Sequence, residues 1–104
     1  MSDRVPSGNE EILEKSRDET KEPEMYRVVL HNDDYTTMEF VVEVLMRVFK
    51  KPIIEATKIM FDVHKKGRGQ VGVFTYDIAK TKAHQVRRLA AEREFPLKCT
   101  VESV

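Results

Sequence analysis

Six residues rich in β-branched and aromatic side chains, Met25-Tyr26-Arg27-Val28-Val29-Leu30, run through His31 into Asn32-Asp33-Asp34. Such a run favours a strand, and the Asn-Asp-Asp cluster supplies the turn chemistry that ends it. A helix start follows at once. Thr36 and Glu39 stand three apart, as in a capping box, and Tyr35 and Phe40 stand at the spacing of a hydrophobic staple. This stretch therefore predicts a strand that turns a tight corner into a helix. Two carboxylates and an amide are held on that corner, and a rigid corner suits recognition better than a long loop.

The elements downstream follow from periodicity. Phe40, Val41, Val44, Leu45, Val48 and Phe49 recur at spacings of three and four and predict a helix over 37–50, with Glu43 and Arg47 paired on its outer face. Pro52 is well placed as the first residue of a second helix, whose stripe is Ile53, Ala56, Thr57, Met60, Val63 and His64 and whose end is a Gly67 cap after Lys65-Lys66. A second strand is predicted over 69–74, its glycines suggesting close backbone approach or a bulge. Thr75 caps a third helix with Ile78, Ala79, Ala83, Val86, Leu89 and Ala90 on its apolar side, and Pro96 ends that region before an alternating strand over 97–101. The order β-α-α-β-α-β predicts an α/β fold, a small two-layer sandwich with a three-stranded sheet packed by helices.

A chain of 104 residues holds one core. Charged residues make up 35% of it, and no apolar run is long enough to cross a membrane, so no membrane role is expected. Asp3, Arg4, Glu10 and Glu11 stand where a signal peptide needs an apolar block, and the lone Cys99 allows no internal disulfide; a cytoplasmic location is expected. The net charge of zero hides an asymmetry. Residues 1–24 carry eight acids against four bases, whereas residues 25–104 carry fourteen bases against ten acids. The division expected is a flexible, acidic N-terminal extension over 1–24 and a core domain over 25–104, the extension lying against the core or reaching for a partner.

Three kinds of chemistry compete for the corner. Asn32, Asp33, Asp34 and His64 together offer acceptors suited to an ammonium group with three donors, such as a peptide α-amine. Met38, Val41, Met60 and Val63 can line a hole for the adjoining side chain, thioethers adapting to aliphatic and aromatic guests alike. The same acids with His31 and His64 are competent metal ligands, but their spacing matches no metallohydrolase pattern. The basic run His64-Lys65-Lys66-Gly67-Arg68-Gly69 lacks stacking aromatics and reads as a solvated turn, not a nucleic-acid site. Read without a binding role, the acids are turn formers, the Met and Val residues core, and His64 a helix-terminal histidine.

Asn32 to Val41, followed by Ala56-Thr57, Met60, Val63-His64, Gly67, Gly72-Val73-Phe74-Thr75, Thr81-Lys82 and Pro96-Leu97-Lys98-Cys99-Thr100, resembles the bacterial ClpS adaptors over nearly all of 25–104. The resemblance implies a non-enzymatic adaptor, without cofactor or metal, and a monomer. It implies binding of N-degron substrates that begin with Leu, Phe, Tyr or Trp, and their delivery to the N-domain of a Clp ATPase unfoldase of the ClpA type for degradation by ClpP. By position, Asn32, Asp33 or Asp34, and His64 would hold the α-amine and first peptide unit, with Thr36 assisting. Met38, Val41, Met60 and Val63, joined by Leu30 and Leu97, would line the side-chain pocket, Met38 excluding β-branched residues. Asp77 and Lys82 match positions that contact the unfoldase. One departure is Thr37, where the family usually has Pro, which would make the corner slightly less rigid. Two other classes remain beside the adaptor: a small metal-dependent hydrolase, and an interaction domain indifferent to free N-termini.

Overall fold

The computed structural model describes residues 23–104, so the flexible extension expected over 1–24 falls, but for its last two positions, outside the described residues. The elements are β1 (Met25–His31), α1 (Met38–Arg47), α2 (Ile53–Lys66), β2 (Arg68–Thr75), α3 (Tyr76–Glu92) and β3 (Lys98–Ser103). β1 lies in the middle of a three-stranded sheet of order β2-β1-β3, antiparallel on both sides. The α/β fold and element order anticipated from periodicity are those observed.

Strand alternation sends Val28 and Leu30 of β1 into one apolar cluster with residues from all three helices. α1 contributes Phe40, Val44 and Leu45, and α2 contributes Ala56, Met60 and Val63. α3 faces the sheet with Ala79, Ala83 and Ala90, whose small side chains let the helix lie close. The other sheet face carries a polar ladder in which His31 Nε2 meets Thr100 Oγ1 at 2.8 Å and Arg68 meets Glu102 at 2.6 Å. Beside it, Val28 pairs with Gly72 and Val29 with Gln70, so Val71 is an extra residue that bulges β2.

Several local details differ from the sequence reading. α1 ends at Arg47 and not at Lys50, since Lys50 takes a left-handed φ of 57° that lets the Lys51 N–H turn back to the Leu45 carbonyl at 3.0 Å. Pro52 is the N-cap of α2 and not its first helical residue, with an extended ψ of 158°. Ile53 and Ile78, expected on buried stripes, are 59% and 48% exposed, and each falls in the first turn of its helix. Gly67 caps α2 as anticipated, at φ 88°, with its N–H on the Val63 carbonyl.

Candidate functional site

Three chain ends meet beyond the C-terminal end of β1. β1 delivers Asn32 to Thr36, α1 begins with Met38 and Val41, and α2 finishes with Met60, Val63 and His64; together they line a cavity of about 260 Å³. Two contacts hold these ends in place. The Asn32 N–H donates to the Gly67 carbonyl at 2.9 Å, tying the corner to the end of α2. Gly69 of β2 lies so close to α2 that a Cβ there would stand 2.7 Å from Val63 Cγ2, so only glycine lets Val63 reach the cavity wall.

The corner is built differently from a capping box. Asp33 Oδ1 accepts the backbone N–H groups of Tyr35 at 2.8 Å and Thr36 at 2.7 Å, and its Oδ2 accepts the Thr36 hydroxyl at 2.7 Å. This is an Asx turn, and it commits Thr36 to Asp33. The cap passes to Thr37, whose hydroxyl accepts the Phe40 N–H at 3.1 Å. Glu39 therefore cannot complete a capping box, and Tyr35, at 76% exposure, makes no staple with buried Phe40. Partial burial pushes the Asp33 carboxyl up, but the hydrogen bonds from Thr36 and Tyr35 outweigh it and hold its pKa below the ordinary carboxylate value.

The two acids thus differ in kind. Asp33 is occupied by its own turn, whereas Asn32, Asp34 and His64 are exposed at the cavity mouth. Deeper in the cavity Val41, Met60 and Val63 are buried, and Met38 stands between wall and solvent at 39% exposure. Positive charge is favoured at the mouth by the carbonyl end of α2 beside His64 and by the Asp34 carboxylate. Leu30 and Leu97, placed in the wall by resemblance, are core residues and do not line the cavity. His31, a candidate ligand in the metal reading, spends its ring on Thr100 across the sheet; burial first, then the charges of Lys98 and Arg68, lower its pKa. Among the described residues no three of His, Cys, Asp and Glu converge tightly enough for a metal ion.

Asp77 and Lys82 lie at the other end of the sheet. Met25, at the start of β1, pairs with Thr75, next to the start of α3, and the seven residues of β1 set this end about 20 Å from the corner. Asp77 and Lys82 share a shallow depression along α3 with Ile78, Thr81 and Gln85. Lys82 Nζ donates to the Val48 carbonyl at 3.0 Å and lies over the rings of Phe49 and Phe74 at 5.6 and 5.8 Å. Cys99 is buried and its thiol is pushed up to about 11 by that burial, as a small core residue would be. No helix among the described residues is long and apolar enough to cross a membrane.

Fold and site define a small two-layer α/β domain with a residue-sized cavity, acceptors at its mouth and thioethers in its wall. The family model "ATP-dependent Clp protease adaptor protein ClpS" matches residues 21–100. The chain is 50% identical over 103 residues to the adapter protein ClpS of Syntrophus aciditrophicus, covering 99% of this chain and 96% of that one. It is 61% identical over 82 residues to the ClpS of Acetivibrio thermocellus, covering 79% and 83%. Among solved structures, Agrobacterium tumefaciens ClpS2 bound to L-phenylalaninamide is similar with a TM-score of 0.77 and 41% identity, over 79% of this chain and 99% of that one. The chain belongs to the ClpS family. It is thus an adaptor of the Clp protease and not the protease itself.

Proposed function

We propose that the cavity captures the free N-terminus of polypeptides that begin with Leu, Phe, Tyr or Trp, and that the chain passes them to a Clp ATPase unfoldase of the ClpA type for degradation by ClpP. The supporting observation is the division of the cavity into an exposed mouth of Asn32, Asp34 and His64 and a buried wall of Val41, Met60 and Val63. A peptide α-amine, with an ordinary pKa of about 7.7–8.0, is largely cationic at neutrality and carries three donors. The Asp34 carboxylate, the Asn32 carbonyl and one nitrogen of neutral His64 can accept them. Asp33 and Thr36 act one step back, by fixing the turn that aims these groups.

The wall takes the side chain. A volume of about 260 Å³ is below the range of roughly 300–1,000 Å³ usual for small-molecule sites, so the cavity suits one residue. Two thioethers adapt to aliphatic or aromatic guests, and Met38 at the rim would clash with a branch at Cβ. The ligand of the Agrobacterium relative has the same parts: a free α-amine, a large apolar side chain and an amide. Asp77 and Lys82 are proposed as the unfoldase contact, with residues 25–104 as the core domain, acting as a cytoplasmic monomer.

Fluorescence anisotropy with matched peptides beginning with Leu, Phe, Val, Met and N-acetyl-Leu tests the capture step. Acetylation removes the charge and strands the acceptors, so N-acetyl-Leu should lose about 1–3 kcal/mol or more of binding. Val should bind more weakly than Leu. Equal affinity across the set would leave the corner as a well-tied turn and end the reading.

A further inference from the structure

A second hollow, of about 480 Å³, lies between the C-terminal end of α1 and the outer face of α3. Arg47, Lys50, Lys82 and Arg88 ring it, and Val48 and Leu89 supply apolar floor. Four cations face a single acid there, Glu92 at its far end. Arg47 is partly neutralised by Glu43 at 2.9 Å, while Lys82 keeps two of its three donors beyond its bond to Val48. Two further depressions adjoin the hollow through shared lining residues. The hollow shares Lys82 and Gln85 with the depression that holds Asp77, Ile78 and Thr81, and Asp77 joins that one to a third lined by Pro23, Glu24, Tyr26 and Tyr76. The path thus begins where the N-terminal segment joins the core. Tyr26 packs edge-on against Tyr76 at 5.0 Å and donates its hydroxyl to Glu24 at 3.1 Å, which sets residues 23 and 24 beside the first turn of α3.

We propose that the acidic N-terminal segment of this same chain, centred on Glu10-Glu11-Ile12-Leu13-Glu14, docks along α3 and seats in this basic hollow. The complementarity is in kind as well as sign. Three acids surround two aliphatic residues in that segment, matching four cations around Val48 and Leu89. The reach suffices: nine residues from Pro23 back to Glu14 extend to about 30 Å, whereas Tyr76 to Arg88 along α3 covers about 18 Å. Docking occupies the Asp77–Lys82 surface, so the segment and any partner that binds there exclude one another. The inference does not depend on how the cavity at the corner is used.

A nitroxide on Ser16→Cys in the full chain tests it, because buried Cys99, with its thiol pushed up to about 11, stays unlabelled. Several-fold broadening of the Gln85, Arg88 and Leu89 amides is expected, in dilute protein and low salt. It should recover towards ~1 M salt, where the screening length is about 3 Å. Arg88→Glu should abolish the broadening. Lys50→Gly should reduce it while relieving a left-handed backbone, so a loss there cannot be ascribed to unfolding. Broadening that is absent, that centres on another surface, or that appears only when labelled and isotope-enriched molecules are mixed would overturn the proposal, the last by assigning the hollow to a second copy.

Discussion

The two ends of β1 meet the solvent in opposite ways. At the C-terminal end the chain turns back on itself, both carboxylate oxygens of Asp33 are bonded, and a walled cavity opens between two helix ends. At the N-terminal end the surface is open, and two cations of α3 rest on ring faces, Lys80 on Tyr76 and Lys82 on Phe49 and Phe74, Lys82 also donating to the Val48 carbonyl. The difference teaches what each end can recognise. A single residue with one charged group has to be met by few, fixed acceptors in an enclosed place. A long chain or a protein surface can be met by charges spread along a groove, each contributing little.

The comparison is sharpest at adjacent acids. Asp34→Ala and His64→Ala should each weaken binding of a Leu-initiated peptide by about 1.5–3 kcal/mol, tenfold to over a hundredfold in Kd, by loss of a charge-assisted bond. Their melting temperatures should match the parent, and the spin-label pattern on α3 should not move; a change on α3 would mean the ends are coupled. Gly69→Ala, read by thermal melting, should cost about 1–3 kcal/mol, because its Cβ would meet Val63 Cγ2 at 2.7 Å and push the cavity wall inward.

Asp33→Ala, unlike Asp34→Ala, should cost about 1–2 kcal/mol of stability, some 4–16 °C in Tm, through the lost Asx turn. The same turn gives a pH dependence. Asp33 is held below its ordinary pKa, so its contribution is complete above about pH 4 and is lost as pH falls through the lower folded value. Urea midpoints for parent and Asp33→Ala should therefore converge in acid; parallel curves would deny the turn its role. The smallest effects belong to the cap. Thr37→Ala should cost about 1 kcal/mol, and Thr37→Pro close to nothing, since φ at −76° already suits proline and the fixed backbone offsets the lost hydroxyl.

Much of the fold was legible because local chemistry and burial agree. Met25–His31 is a strand by composition and by structure, and α2 stops at a left-handed Gly67 as that cap residue says. The residues singled out around the corner and on α2 do gather about one cavity, since positions four apart on a helix share a face. Choices between near-equal neighbours were not legible. Thr36 and Thr37 are both good caps, and Asp33 decided between them by taking the first. Leu30 and Leu97 looked fit for the wall, but strand alternation turns Leu30 into the core, and Leu97 packs there as well.

The order of elements, the corner, the residue types that face the cavity and the charge imbalance between the segment before Pro23 and the core are properties of the sequence alone, because each rests on interactions within a few residues or on composition. Tertiary structure alone decided that Asp33 is spent and Asp34 exposed, that Gly69 sets the depth of Val63, and that three depressions adjoin one another beside α3. Those depend on distances between residues far apart in the chain. Such distances are fixed only when sheet order, the bulge at Val71 and helix packing have been settled together.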